Sequence, residues 1–181
     1  IRNEKTSDFA LIDLSELLRD CISFTRPYWY NEPRRQGIQI ESIQELDAVP
    51  KVFGASVELK QVFINLITNA VQAMPRGGQL TFKTFVDRGD VVVSITDTGN
   101  GMSEKTKSRI FEPLFTTKGK QGTGLGLSLC NSIIKNHDAR MEVITALGQG
   151  TTFQMRFRQE TPVESKEVET GVVQENKLAH I

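Results

Sequence analysis

The stretch KGKQGTGLGLSL, residues 118–129, sets four glycines beside two lysines and a threonine. It has the look of a phosphate cradle, and which cradle it is decides the fold. A P-loop places its lysine and Ser/Thr directly after the last glycine, so that the lysine reaches back to the phosphates from the helix start. Here the lysines precede the glycines, and Gly126 is followed by Leu127 and Ser128. The dinucleotide fingerprint requires G-x-G-x-x-G directly after a strand. This sequence has G-x-G-x-G after a polar loop. Both of the common phosphate-binding folds are thereby set aside.

Around that stretch the chain is ordinary in bulk. Its 181 residues leave room for one domain and a tail. The 22 basic and 22 acidic side chains cancel, so no general field draws in DNA, RNA or an acidic membrane, and any anion site is local. A hydrophobic share of 38% is enough for one core. Cys21 and Cys130 match no metal spacing and read as two reduced thiols. There is no signal peptide and no long apolar run. A start at Ile1 reads as an excised piece, compatible with a membrane anchor elsewhere in its parent.

The periodicities alternate between helix and strand. Asp13 followed by Glu16 marks a helix start, and Pro27 is expected to end that helix. GIQIESI alternates as a strand. Ser56 opens a long helix to about Met74, stopped by PRGG. QLTFKTFV and VVVSIT form a hairpin around DRGD. EKTKSRIF is a short helix ended by Pro113. Leu125, Leu129, Ile133 and Ile134 mark another helical stripe. RMEVITAL and TTFQMRFR are strands around GQG. From about Gln159 periodicity stops, which reads as a tail. The order points to an α+β two-layer sandwich: a mixed, mostly antiparallel sheet with helices on one face.

Two places carry polar residues where burial is expected. In the long helix, Leu59, Val62, Phe63, Leu66, Ile67, Ala70, Val71 and Met74 form one stripe. Asn65 and Asn69 fall together on its border, with Ala73 a turn further on. Asparagine is a mediocre helix former, so the pair either bonds a neighbouring loop or turns carbonyl oxygens to a cavity, where they suit a hard cation such as Mg²⁺. In VVVSITDTGNGM, Val91, Val93 and Ile95 share one strand face, and Asp97 falls on it too. A carboxylate there is costly unless paired. It either bonds the amides of its own turn or accepts from a planar amino group such as that of adenine. The following Thr98, Gly99, Asn100 and Gly101 let the chain approach a ligand closely.

Taken together, N-x-x-x-N-A on a helix, then D-T-G-N-G-M, then IFEPLFTTK, then GTGLGL resemble the N, G1, F and G2 boxes of sensor histidine kinases. These belong to the ATPase/kinase superfamily with the Bergerat ATP-binding fold, shared with gyrase, Hsp90 and MutL. EPLFTTK and GTTF look most like the nitrogen-regulation and oxygen-sensing type. The resemblance implies residues 1–10 as the end of a linker from a dimerisation domain, 11–158 as the catalytic ATP-binding domain and 159–181 as a tail.

By that resemblance Asp97 takes the adenine amino group, with Gly101 and Thr152 lining the base through backbone or water and Gly99 among the ATP-binding residues. Asn69, together with Asn65, holds Mg²⁺. Ala73, Ile95, Met102, Leu125 and Phe153 form apolar walls. Backbone N–H groups of Gly122, Thr123, Gly124, Leu125, Gly126 and Leu127 meet the phosphates at a helix N-terminus, and Lys118 and Lys120 reach the outer phosphates from a lid. Phe111 and Phe115 anchor that lid, and residues 100–121 are expected to be mobile without nucleotide. The implied cofactors are ATP and Mg²⁺. The implied partners are a dimerisation and phosphoacceptor domain, a downstream response regulator and a second copy of the parent protein; the implied location is cytoplasmic.

The resemblance has departures. The family's phosphoacceptor histidine has no counterpart here: His137 matches an unphosphorylated position, and His180 lies in the tail. Asp138 and Ala139 stand where relatives often have two glycines, so that turn is expected to differ. Two other functions compete: an ATP-driven conformational switch, and a degenerate nucleotide-binding module. The hydrolases carry a glutamate four residues before the metal-binding asparagine, where this chain has Asn65, an amide that is no base.

Overall fold

The computed structural model describes residues 8–117 and 124–159. A short strand β1 (Phe9–Ile12) leads into α1 (Leu14–Arg26). The helix starts where Asp13 caps it: the Glu16 backbone N–H donates to its carboxylate at 3.0 Å. Pro27 does not end the helical path. The chain widens by one residue through Pro27–Asn31, where the Glu32 N–H donates to the Pro27 carbonyl, and continues as α2 (Glu32–Arg35). The α-helix is thus limited at Pro27 as expected, and a single wide turn carries the helical path on into α2.

β2 (Ile40–Leu46) and the short β3 (Val52–Ala55) precede the long α3 (Ser56–Gln72). The Leu59-to-Ala70 stripe of α3 is buried as its period requires. β4 (Gly78–Asp87) and β5 (Asp90–Asp97) make a hairpin whose turn residues, Arg88 and Gly89, take φ of 53° and 85°. That mirror-image turn matches the twist of the strands it joins. After α4 (Glu104–Lys107) and α5 (Gly126–Asn136), β6 (Arg140–Thr145) and β7 (Thr151–Arg158) make a second hairpin.

The five long strands form one sheet in the order β2-β4-β5-β7-β6. β2 runs parallel to β4, and the other pairs are antiparallel. One face carries Leu80, Phe82, Val93, Ile95, Met155 and Phe157, all buried against Leu18, Phe63, Leu66 and Ile67 of the helices. The chain is therefore an α+β two-layer sandwich of the kind expected. One feature has no counterpart in the sequence reading: β1 and β3 pair antiparallel as a separate two-stranded sheet.

The helical stripe of α5 differs from expectation. Its buried residues are Cys130, Ile133 and Ile134, while Leu125 and Leu129 are 49% and 45% exposed. The face turned to α3 is rotated so that Cys130 takes the place assigned to Leu129. Past α5, Asp138 takes φ of 50°. The Ala139 N–H donates to Ile134 O and the Asp138 N–H to Lys135 O, both at 3.1 Å. This closes the helix as a glycine would, because aspartate tolerates the left-handed region.

Candidate functional site

A cavity of about 500 Å³ opens between α3, the ends of β5 and β7, the segment after β5 and the first turn of α5. Its size suits a nucleotide-sized ligand. Alternation along two strands builds one end. Asp97 closes β5 on the same face as Val93 and Ile95, opposite Thr151 of β7. It is 4% exposed. Its Oδ1 accepts the Gly99 N–H at 2.8 Å. Burial pushes the carboxyl above the usual aspartate range, while the N–H groups of Gly99 and Thr151 pull it back down. The first reading of Asp97 is seen, since one oxygen serves its own turn, and the residue also lines the cavity.

The loop behind Asp97 is held from both sides. The Asn100 N–H donates to the Ala73 carbonyl at 3.0 Å, which ties it to the end of α3. The Gly148 N–H donates to Asn100 O at 2.7 Å, and the Met102 N–H to Thr145 Oγ1 at 2.9 Å. Gly101, at φ 64°, runs against the Ala146 carbonyl so closely that any side chain would collide. Ala73, Met102 and Phe153 complete the apolar part of this end.

The other end is helical. Asn65 and Asn69 both line the cavity, as do Gly124, Gly126 and Leu127. Asn65 Nδ2 donates to Cys130 Sγ at 3.1 Å. Burial pushes the Cys130 thiol up, with that hydrogen bond opposing it. Cys21 and Cys130 are both free and buried. At the N-cap of α5, Leu125 offers no side-chain oxygen, so the donors of the first turn and the positive end of the helix dipole suit an anion.

The structure sorts the expected residues. Asn65, Asn69, Ala73, Asp97, Gly101, Met102, Gly124, Gly126, Leu127, Phe115 and Phe153 converge on one cavity. Lys118, Lys120, Gly122 and Thr123 lie outside the described residues. Four others lie away from the cavity lining. Thr152 sits on the opposite sheet face, where its Oγ1 meets Thr96 Oγ1 at 2.9 Å; its neighbour Thr151 lines the cavity, because strand parity pairs Thr151 with Asp97. Leu125 points outward rather than forming a wall. Ile95 lies beneath the cavity in the core. Gly99 lies behind Asp97, with its Cα against the Ala73 carbonyl, and gives the site an N–H rather than a surface.

The segment after β5 is anchored by Ile110, which is buried, more than by Phe111 and Phe115, which are partly so. Arg109 stacks over the Phe115 ring at 4.5 Å and pairs with Glu112 at 2.9 Å. Sequence reasoning also missed Thr68 and Gln72 in the lining. The signal was present: residues 65, 68, 69 and 72 share one helix face.

Comparison with known proteins agrees with this geometry. The family described as Histidine kinase-, DNA gyrase B-, and HSP90-like ATPase matches residues 54–161. Sporulation kinase C of Bacillus subtilis (strain 168) is 43% identical over 102 residues, which are 56% of this chain and 24% of that protein. Sporulation kinase A of the same organism is 44% identical over 121 residues, 67% of this chain and 20% of its own. The chain thus spans about a fifth to a quarter of the length of these curated relatives. Among solved structures, the nucleotide-free catalytic domain of histidine kinase ThkA is similar with TM-score 0.70 and 31% identity, over 83% of this chain and 95% of that one. Full-length ShkA in complex with AMPPNP has TM-score 0.71 and 26% identity, over 82% of this chain and 30% of that one.

Proposed function

Because the chain belongs to the histidine kinase-, DNA gyrase B- and HSP90-like ATPase family, and within it to the histidine kinase catalytic domains, we propose that it holds Mg²⁺–ATP in this cavity and presents the γ-phosphoryl group to a histidine on a dimerisation domain outside the chain. On this reading residues 11–158 are the kinase unit, 1–10 the end of the incoming linker and 159–181 a tail. The whole protein acts as a homodimer on the cytoplasmic side and passes its phosphoryl group to a response regulator.

One observation carries the proposal: a buried carboxylate at the apolar end of a nucleotide-sized cavity, already steadied through Oδ1 by its own turn. An acceptor-only group in that place takes the amino group of adenine and rejects the carbonyl of guanine. The donor set also fits Mg²⁺. Among the described residues no three His, Cys, Asp or Glu gather around a metal position. A cation here would rest on the amide oxygens of Asn65 and Asn69, with phosphates and water completing the shell, as Mg²⁺ prefers. Bound there, it would neutralise charge developing on the transferring phosphoryl group.

Position 65 supports a kinase over a hydrolase. Its amide is hydrogen-bonded to Cys130 and takes no proton from water. His137 is unsuited as an acceptor. The Ala55 N–H donates to its Nε2 at 3.0 Å, and its Nδ1 donates to the Ile133 carbonyl at 2.8 Å. An amide donor and a carbonyl acceptor together fix that tautomer, and both ring nitrogens are occupied. Calorimetry and steady-state turnover test the proposal: Mg²⁺–ATP binds, GTP binds poorly, and hydrolysis is very slow. Brisk turnover that follows the chain through successive columns would instead favour an ATPase.

A further inference from the structure

Where α3 and α5 meet at the cavity, the Asn65 amide of α3 is held by two residues of α5. The Asn65 amide lies against the first residue of α5: a methyl group placed on Gly126 would stand 2.7 Å from Nδ2 and 3.0 Å from Oδ1. One turn further along α5, Cys130 takes the amide's N–H, with Nδ2 to Sγ at 3.1 Å. Gly126 and Cys130 are four residues apart, so they share one face of the helix. The amide is thus trapped between a residue with no side chain and a sulfur that holds its NH₂ end. Oδ1 is the acceptor that Asn65 has left for the cavity it lines.

The chemistry of position 130 fits that task. Its side chain is 1% exposed and lies on the buried face with Ile133 and Ile134. An ordinary apolar residue would pack there but accept nothing. A thiol packs as a small hydrophobe and still offers a weak acceptor. Orientation matters for an amide beside a cation, since its two ends have nearly the same shape and opposite polarity. Oxygen toward a hard cation is a ligand, whereas NH₂ toward it is a repulsion.

We propose that Cys130 is a positioning residue of the cation site, which, with Gly126, holds the Asn65 amide so that its carbonyl oxygen faces the bound nucleotide's metal. The inference rests on the reading of Asn65 as a Mg²⁺ ligand. It also couples two elements: the helix that presents N–H groups to the phosphates sets the aim of a ligand on its neighbour, so cation and phosphates are gripped in register.

Three variants of the whole chain test it: Cys130→Val, Cys130→Ser and Asn65→Ala, each checked for fold by circular dichroism. The affinity for a non-hydrolysable ATP analogue is measured with and without Mg²⁺. Cys130→Val should leave the Mg²⁺-free affinity unchanged and lose about threefold to tenfold of the enhancement by Mg²⁺, the range a single neutral hydrogen bond covers. Cys130→Ser, which keeps an acceptor, should retain most of it. Without nucleotide or metal, the Asn65 side-chain amide signals in an ¹⁵N spectrum should lie away from the solvent-exposed position in the natural chain and in Cys130→Ser, and move to it in Cys130→Val. Full Mg²⁺ enhancement in Cys130→Val, while Asn65→Ala loses it, overturns the role of Cys130 alone. Equal loss in Cys130→Ser and Cys130→Val overturns it too, since packing rather than an acceptor then matters. If Asn65→Ala keeps the enhancement, the metal reading falls and this inference falls with it.

Discussion

The two ends of the cavity are built by different means. At the base end, Asp97 and Thr151 are fixed by strand pairing, and the loop behind them is tied by backbone hydrogen bonds to α3 and to the β6–β7 turn. At the phosphate end, Gly124, Gly126 and Leu127 stand at the start of a helix, and the nearby segment from Ser103 to Thr117 gives the core a single buried side chain, Ile110. The first end is made before any ligand arrives. The second has little apolar burial to hold it, so on the proposed function its order should depend on what binds. If the proposed function holds, selection of the base and grip on the phosphates should be separable and should fail separately.

The largest effect should come from the base end. Asp97→Asn replaces an acceptor with an NH₂ group on the side facing the ligand. Loss of a buried charged hydrogen bond costs about 1.5–3 kcal/mol, so ATP affinity should fall at least about tenfold by calorimetry. Folding stability should not fall with it. Burial raises the folded-state pKa of Asp97, so its favourable contribution is complete below the unfolded value and lost as pH rises through the raised one. At neutral pH the carboxylate is a cost to the fold, and the thermal midpoint of Asp97→Asn should be unchanged or higher. Unchanged nucleotide affinity would remove the adenine assignment.

The same shift gives a pH signature of opposite sign for binding. ATP requires the carboxylate form, so affinity should decline on acidification with an apparent pKa above the ordinary value of 3.8. In Asp97→Asn that inflection should vanish. An unaltered inflection in the variant would place the titrating group elsewhere.

At the phosphate end, the expected change is in order rather than affinity. Hydrogen exchange over 101–117 and 124–130 should slow when a Mg²⁺–ATP analogue binds, while β5 and β7 change little. Equal protection with and without nucleotide would erase the contrast between the ends. The smallest effect distinguishes two adjacent threonines. Thr151→Val removes a hydroxyl on the cavity side, bonded to Thr145 Oγ1 at 3.0 Å, and should weaken ATP binding about twofold to fivefold. Thr152→Val alters only the outer sheet face and should leave binding alone.

That pair also marks the limit of reading this site from sequence. Asp97 was legible because Val91, Val93 and Ile95 before it fix the parity of the strand. For TTFQMRFR the resemblance named Thr152, for a contact through backbone or water; that the Thr151 side chain is the one facing in is decided by the register with Asp97. The glycines and both asparagines were legible because they are costly where they stand. Cys130 was not, since a thiol in a buried helix stripe looks like any small hydrophobe until its neighbour across the helix pair is known. β1 and β3 escaped because four-residue strands are too short to show alternation. Asp138 was flagged as a departure, and the structure shows aspartate adopting the conformation that a glycine would supply.

The proposed division of labour, with ATP held here and the acceptor elsewhere, is tested most directly by phosphoryl transfer. The chain alone, incubated with radiolabelled ATP and Mg²⁺, should stay unlabelled, because both nitrogens of His137 are already bonded and none of the described residues lining the cavity is a histidine. Addition of the parent's dimerisation fragment should label that fragment, with the acid-labile, base-stable bond of a phosphohistidine. Stoichiometric label on this chain by itself, lost in His137→Ala, would contradict the account.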